Sequence, residues 1–294
     1  MGTPHAPAWG EGVGVYLERY GELHHAPATR KKVGRILRAF GELISGKALT
    51  EILRSDFETY QLARKTAGMA PATINQHVRH LKAFLEWCVG EGWIVSNPGE
   101  RVKMLRLVKS RRFSISIGTL TEFLRWLDAR GQGFYADLLR LIANTGLRSG
   151  EALHLRPPDV DFDARLVWTM VRAEYSTKDR EERRVPLNDV ALKILRRRVM
   201  AAGGGPLFLQ TTGRGKGKIP HVTSIAHAVT RLAERANIPG LTCQTLRQFF
   251  GTTNASIMPE IALAAIMGHE SIETTRKHYI EAARVNLPTP PAIG

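Results

Sequence analysis

Gln244-Thr-Leu-Arg247-Gln-Phe-Phe-Gly251, an apolar helical stretch, Met267-Gly268-His269, then Ser271-Ile-Glu-Thr-Thr-Arg-Lys-His-Tyr279: the reading of this chain turns on these residues. An arginine, a histidine and a tyrosine come in order from short helices with a glycine between them. Breaking a phosphodiester without a metal takes such a set: a cation on the phosphate, a second donor and a nucleophilic hydroxyl.

The bulk composition agrees with a polyanionic partner. Lys and Arg number 42 against 27 Asp and Glu, a net charge of +15. The excess is spread: residues 1–112 hold 18 basic and 10 acidic groups, residues 113–294 hold 24 and 17. A field of that sign draws polyanions, nucleic acid first among them, with a basic ribosomal or heparin-like binder as the bland alternative. At 294 residues there is length for two domains. Two distant cysteines, Cys88 and Cys243, call for no disulfide, and no Cys/His spacing suits zinc, so no metal or cofactor is expected. No apolar run approaches the ~20 residues of a membrane span and no signal peptide is visible. The expected compartment is the cytoplasm, at the nucleoid.

Read in order, residues 1–10 look like a disordered lead-in, followed by a helical domain over 11–100. Val13–Leu23 is a glycine-rich, weak helix, and Thr29–Ile44 a better one, with Val33, Ile36, Leu37, Phe40, Leu43 and Ile44 at helical spacing. Ser55-Asp-Phe-Glu58 has the capping-box pattern and opens a third helix ending near Gly68. A fourth starts at Pro71, carries the apolar stripe Ile74, Val78, Leu81, Leu85, Cys88, and closes at Gly90 and Gly92. Its polar face holds Asn75, Gln76, Arg79, His80 and Lys82. That face suits phosphate and base-edge contact, and suits a solvated helix as well. Residues 101–117 read as a basic linker: Arg101, Lys103, Arg106, Lys109, Arg111 and Arg112 stand in its first twelve positions without an acidic residue.

A second domain, 118–282, begins with a helix from Thr119-Leu-Thr-Glu122 through Leu127 and another over Phe134–Thr145, stopped by Gly146. In Thr145-Gly-Leu-Arg148-Ser-Gly-Glu151, Arg148 falls where one helix hands over to the next and is therefore held in place. Only then does the period become alternating: Arg165–Val171 and Arg183–Leu187 read as paired strands, with Lys178 in the polar turn between them. Asn188 caps a helix ending in Arg196-Arg-Arg198, and His221–Ala236 is amphipathic. The loop Gly213-Arg-Gly-Lys-Gly-Lys218 lacks the order of a phosphate-cradling loop, so nucleotide binding there is rejected. Residues 283–294 form a proline-rich tail.

Taken together, Arg148, Lys178, Gln244, Arg247, His269 and Tyr279 resemble the active site of the tyrosine recombinase (phage integrase) family. The matching motifs are Thr-Gly-Leu-Arg148-Ser-Gly-Glu151, the hairpin lysine, Thr-Leu-Arg247, Met-Gly-His269 with Ser-Ile-Glu-Thr-Thr after it, and Tyr279. The layout agrees over nearly the whole chain. The resemblance implies a mainly α fold with a small β-sheet: a SAM-like helical core-binding domain and a mixed α+β catalytic domain. It implies a site-specific recombinase acting on double-stranded DNA through a 3′-phosphotyrosyl intermediate, as a tetramer on paired sites and a monomer when free. In these roles Arg148 and Arg247 neutralise the phosphate, Tyr279 attacks, Lys178 protonates the leaving 5′ oxygen, His269 hydrogen-bonds the phosphate, and Glu151 orients an arginine or histidine rather than touching substrate. A core-binding domain starting near residue 11 leaves no room for an arm-binding domain, which favours a simple-site recombinase.

One position departs from the family. Gln244 stands where histidine is usual, and an amide cannot accept the tyrosine proton as a base near neutral pH. Thr245 and Gln248 also differ from the common residues. The alternative from another class is therefore a catalytically impaired or inactive DNA-binding protein on the same fold. A topoisomerase-like relaxing enzyme and a helix-turn-helix repressor over residues 258–282 are further readings, the second expecting Arg247 to matter little for DNA affinity.

Overall fold

The computed structural model describes residues 6–108, 113–172, 182–210 and 215–268, together with Glu273 and Arg276. The chain divides into two compact units, Met1–Ser110 and Arg111–Gly294. Among the described residues there are twelve α-helices and one three-stranded sheet. No described helix is long and apolar enough to cross a membrane.

The first unit holds α1 (Trp9–Glu18), α2 (Tyr20–His24), α3 (Pro27–Leu43), α4 (Arg54–Thr66) and α5 (Pro71–Gly90). Proline opens both α3 and α5, where its missing N–H has no intrahelical acceptor to lose. The stripe read on α5 is the core: Ile74, Val78, Leu81, Leu85 and Cys88 have no exposed surface. Helical periodicity places them on one side of the cylinder, and Phe40, Phe57, Tyr60 and Phe84 fill the space against them.

Three local expectations need correction. The chain is helical from Trp9, inside the stretch read as a lead-in. The indole is buried, packs on Phe40 and Phe84, and donates from Nε1 to the Leu37 carbonyl at 3.0 Å. The glycine-rich first helix is broken at Arg19 into α1 and α2. The third helix starts at Arg54, and the carboxylate that satisfies its entry belongs to Asp56, which accepts from the Leu53 N–H at 2.8 Å.

The second unit comprises α6 (Ile117–Ala129), α7 (Gly133–Thr145), α8 (Ser149–Leu153), strands β1 (Val160–Asp161), β2 (Leu166–Thr169) and β3 (Arg183–Pro186), then α9 (Asp189–Ala202), α10 (Val222–Arg235), α11 (Cys243–Asn254) and α12 (Glu260–Met267). Helix α7 is its axis and packs against α6, α9 and α11. It buries Ala136, Leu138, Leu139, Leu141 and Ile142, more than one face of a surface helix can account for. Its one buried carboxylate, Asp137, is bonded by Arg197 and by Arg198 Nε (2.8 Å) of α9. The triple arginine of α9 is thus partly a structural brace, and the helix runs on to Ala202. The cap of α6 is Ser116, whose Oγ accepts from the Thr119 N–H at 3.0 Å, so that helix starts two residues before the capping-box pattern.

The sheet is an antiparallel meander, β1-β2-β3, with Val160 opposite Val167 and Val167 opposite Val185. These three valines are buried and align across one face. Side chains two apart share a face, so Arg183 lies on the side of Val185, while Arg184 stacks outward on Trp168 at 5.1 Å. Cys88 and Cys243 are free thiols; burial pushes them up to about 12 and about 11, so neither is a ready nucleophile.

Candidate active site

The centre of the second unit is the turn after α7. Gly146 ends that helix at φ 66°, a left-handed conformation that glycine adopts without penalty. The space for a side chain is also gone: a Cβ would sit 2.5 Å from Phe250 Cδ1 and 2.8 Å from Met267 Sδ. The turn is therefore pressed onto α11 and α12, and Arg148 leaves it as the residue preceding α8.

Arg247, on α11, is buried at 3% exposure. Its guanidinium donates to the Gly146 carbonyl at 2.5 Å and to the Met267 carbonyl. Arg148, with 24% of its side chain exposed, donates from Nη2 to the Gly268 carbonyl at 3.1 Å and from Nη1 to Glu151 Oε1 at 3.1 Å. The two arginines thus meet on consecutive carbonyls at the end of α12. A helix ends in carbonyls without intrahelical partners and a partial negative charge, which cations satisfy.

Glu151 is the counter-ion. It is buried, and besides Arg148 Nη1 it accepts from the Arg148 backbone N–H at 2.8 Å. Burial alone would raise its pKa; hydrogen bonds and charge from Arg183, the Arg148 N–H and the charge of Arg247 outweigh this and hold the carboxyl below its ordinary value. It is ionised at neutral pH, at the centre of a cationic cluster.

The third arginine of the cluster, Arg183 on β3, was not singled out in the sequence. Its Nη1 and Nη2 bind the two oxygens of Glu151 at 2.8 and 2.7 Å, and its Nε donates to the Ile266 carbonyl at 2.8 Å. The available signal was the strand alternation, which puts Arg183 on the buried face with Val185. A charge at an inward position of a strand requires a buried partner.

Gln244 lies in the first turn of α11, exposed, one helical turn before Arg247. Lys178, His269 and Tyr279, with Lys109, Arg111 and Arg112 of the linker, lie outside the described residues. Gly268, at φ 60°, ends α12 immediately before His269.

In the first unit the nucleic-acid face read on α5 needs revision. Asn75 is 2% exposed, and both ends of its amide are bonded to Leu105: Nδ2 to the carbonyl at 2.9 Å and Oδ1 from the N–H at 2.8 Å. It therefore cannot present its amide to DNA. Lys82 Nζ donates to the carbonyls of Glu100 and Val102 at 3.0 and 3.1 Å, so it too serves the chain. Gln61 Nε2 donates to the Lys103 carbonyl at 3.0 Å. The start of the linker is consequently tied onto α4 and α5, with Arg101, Lys103 and Arg106 exposed; Arg79 is exposed and Gln76 half-buried.

Known proteins share this fold. The phage integrase family model matches residues 122–285. A tyrosine recombinase of Thermosipho africanus is 24% identical over 242 residues, covering 78% of this chain and 81% of that protein. A Tn1549 transposon integrase in complex with a circular intermediate DNA superposes with a TM-score of 0.80 at 20% identity, over 95% of this chain and 98% of that one. A lambda integrase tetramer bound to a Holliday junction gives 0.75 at 14% identity, over 90% and 78%. At such identities the structures speak for the fold, and the family match spans more than half of the chain. This chain belongs to the phage integrase family, the family of the tyrosine recombinases.

Proposed function

We propose that this recombinase cuts and rejoins double-stranded DNA at a defined site through Tyr279. The observation that carries the reading is the convergence of Arg148 and Arg247, from distant parts of the chain, on the end of α12, just before His269. A phosphodiester repels nucleophiles with its own charge, and two planar guanidinium groups answer that charge as the pentacoordinate state forms. The Tyr279 hydroxyl oxygen attacks phosphorus, the bond to the 5′ oxygen breaks, and Lys178 supplies the proton that the leaving oxygen takes up. His269 and Gln244 donate to the non-bridging oxygens. Attack of a 5′-hydroxyl on the phosphotyrosyl link reverses the step, so bond energy is conserved without ATP or a metal. The tyrosine proton passes to water, since the Gln244 amide does not accept it.

The units 11–100 and 118–282 serve as DNA-holding and catalytic domains, joined by the basic stretch 101–117, and the enzyme works at the nucleoid as a tetramer on two sites. The exposed Arg79, Arg101, Lys103 and Arg106, with Lys109, Arg111 and Arg112, supply phosphate contacts. DNA affinity then falls with salt with a log–log slope on the order of −5 or steeper. The test is covalent capture from a library of nicked duplexes. Denaturing detergent should preserve a protein–DNA adduct for the wild type, with or without EDTA, and none for Tyr279→Phe. DNA binding without capture by either would favour the inactive DNA-binding reading, and loss of capture in EDTA would require a metal mechanism.

A further inference from the structure

We propose that Arg183 is a positioning residue for strand cleavage, holding Arg148 in its working orientation through competition for Glu151; this rests on the recombinase reading above. An ionised carboxylate offers about four acceptor sites. In Glu151 they are taken by Arg183 Nη1 and Nη2, the Arg148 backbone N–H and Arg148 Nη1. Arg183 makes the paired, two-pronged contact, and Arg148 has only one side-chain prong on the carboxylate. Two-pronged contacts are the stronger kind. Arg183 therefore occupies the sites that would otherwise draw the whole Arg148 guanidinium inward, away from the Gly268 carbonyl and from a phosphate.

A second set of contacts acts in the same direction. Ile266, Met267 and Gly268 present consecutive carbonyls, and each accepts from a different arginine: Arg183, Arg247 and Arg148 in that order. A Cβ on Gly268 would lie 3.0 Å from Arg183 Nη1 and 3.1 Å from Cζ, so the guanidinium is seated against the residue preceding His269. Arg183 itself is a poor candidate for touching DNA. Only 10% of its side chain is exposed, and its guanidinium donates to Glu151 on α8, the Ile266 carbonyl on α12 and Thr169 Oγ1 on β2. Its influence on the reaction passes through Arg148 and through the register of the α12 terminus.

The charge of the scissile phosphate separates this role from a merely structural one. A methylphosphonate at that position is neutral and removes the demand on Arg148. Single-turnover adduct formation should be measured for wild type, Arg183→Met and Arg183→Lys on nicked duplexes carrying either group, with melting temperatures recorded alongside. Arg183→Lys keeps a charge beside Glu151 and so guards against loss of the fold, while lacking the fork. On the ordinary phosphate both variants should be slower by a factor on the order of 10². On the methylphosphonate they should approach the wild-type rate. Equal losses on the two substrates would overturn the proposal, making Arg183 a fold element only, and so would an unchanged rate on the ordinary phosphate. If wild type forms no adduct on either substrate, the recombinase reading fails first; adducts by wild type but not by Tyr279→Phe uphold that reading whatever the Arg183 variants do.

Discussion

In the first unit, two buried amides hold main chain: Gln61 the Lys103 carbonyl and Asn75 both backbone groups of Leu105. At the site of the second unit a buried carboxylate holds charge, with Glu151 between Arg148 and Arg183, and Arg247 close enough to lower its pKa. The first arrangement fixes a segment with neutral groups that keep the same partners at any pH near neutral. The second sets cations at one helix end and keeps them apart with a single buried anion. A clamp suits a strand that must present basic side chains outward, and an ion cluster suits a site that must meet a phosphate.

Removing the hub of each arrangement should expose the difference. Glu151→Ala leaves the Arg148 and Arg183 guanidinium groups without their counter-ion in a buried place, and should cost about 3–5 kcal/mol in urea unfolding of the full chain. A loss of about 1 kcal/mol or less would mean the pair is solvated and the contrast false. Asn75→Ala should cost less, about 1–3 kcal/mol, with faster hydrogen exchange at the Leu105 amide. Because Asn75 is occupied with the backbone, the salt slope of DNA affinity should not change; a slope shallower by about one unit would make it a phosphate contact after all.

A smaller effect sharpens the comparison through pH. His77 and His80 of α5 lie below their ordinary pKa, by burial first and then by the charges of Arg64, Lys32, His80 and Arg35 on the one and of Lys32, His25 and Arg79 on the other. His25 is lowered by burial and by His24. A depressed folded-state pKa means the unfolded chain binds the proton more readily. The stability these histidines contribute is present above about pH 6.5 and declines as pH falls through their folded values. Glu151, also depressed, contributes above the unfolded carboxylate value of about 4.3 and declines only as pH falls through its lower folded value. Hydrogen exchange from pH 7.5 to 5 should show the first unit loosening while the second holds. Equal loosening would mean that these histidines do not set the pH response of the first unit.

Much of this was legible in the sequence where the signal is local. The α5 stripe, the Gly146 stop and the strand pair follow from period and from backbone freedom, which are read within each element's own residues. Legibility ended where a side chain's partner is remote. Asn75 looked like part of a polar face because Leu105, 30 residues on, is invisible to periodicity. Arg183 looked like a strand residue because Glu151 and Ile266 lie on α8 and α12. Trp9 followed two prolines in a stretch without pattern, and only the Leu37 carbonyl and the Phe40 and Phe84 rings give it a place. At the site the family motifs named Arg148, Glu151 and Arg247, which meet in one cluster although Arg247 is distant in sequence, and they gave no sign of Arg183.

The claim on which all this depends is that a phenolic oxygen becomes esterified to DNA beside the guanidinium cluster. Peptide mapping of the captured adduct by mass spectrometry tests it most directly. An oligonucleotide attached through its 3′ phosphate to Tyr279, and strongly reduced adduct for Arg148→Ala and Arg247→Ala, is the result expected. An adduct on another residue, or undiminished capture by the arginine variants, would contradict it.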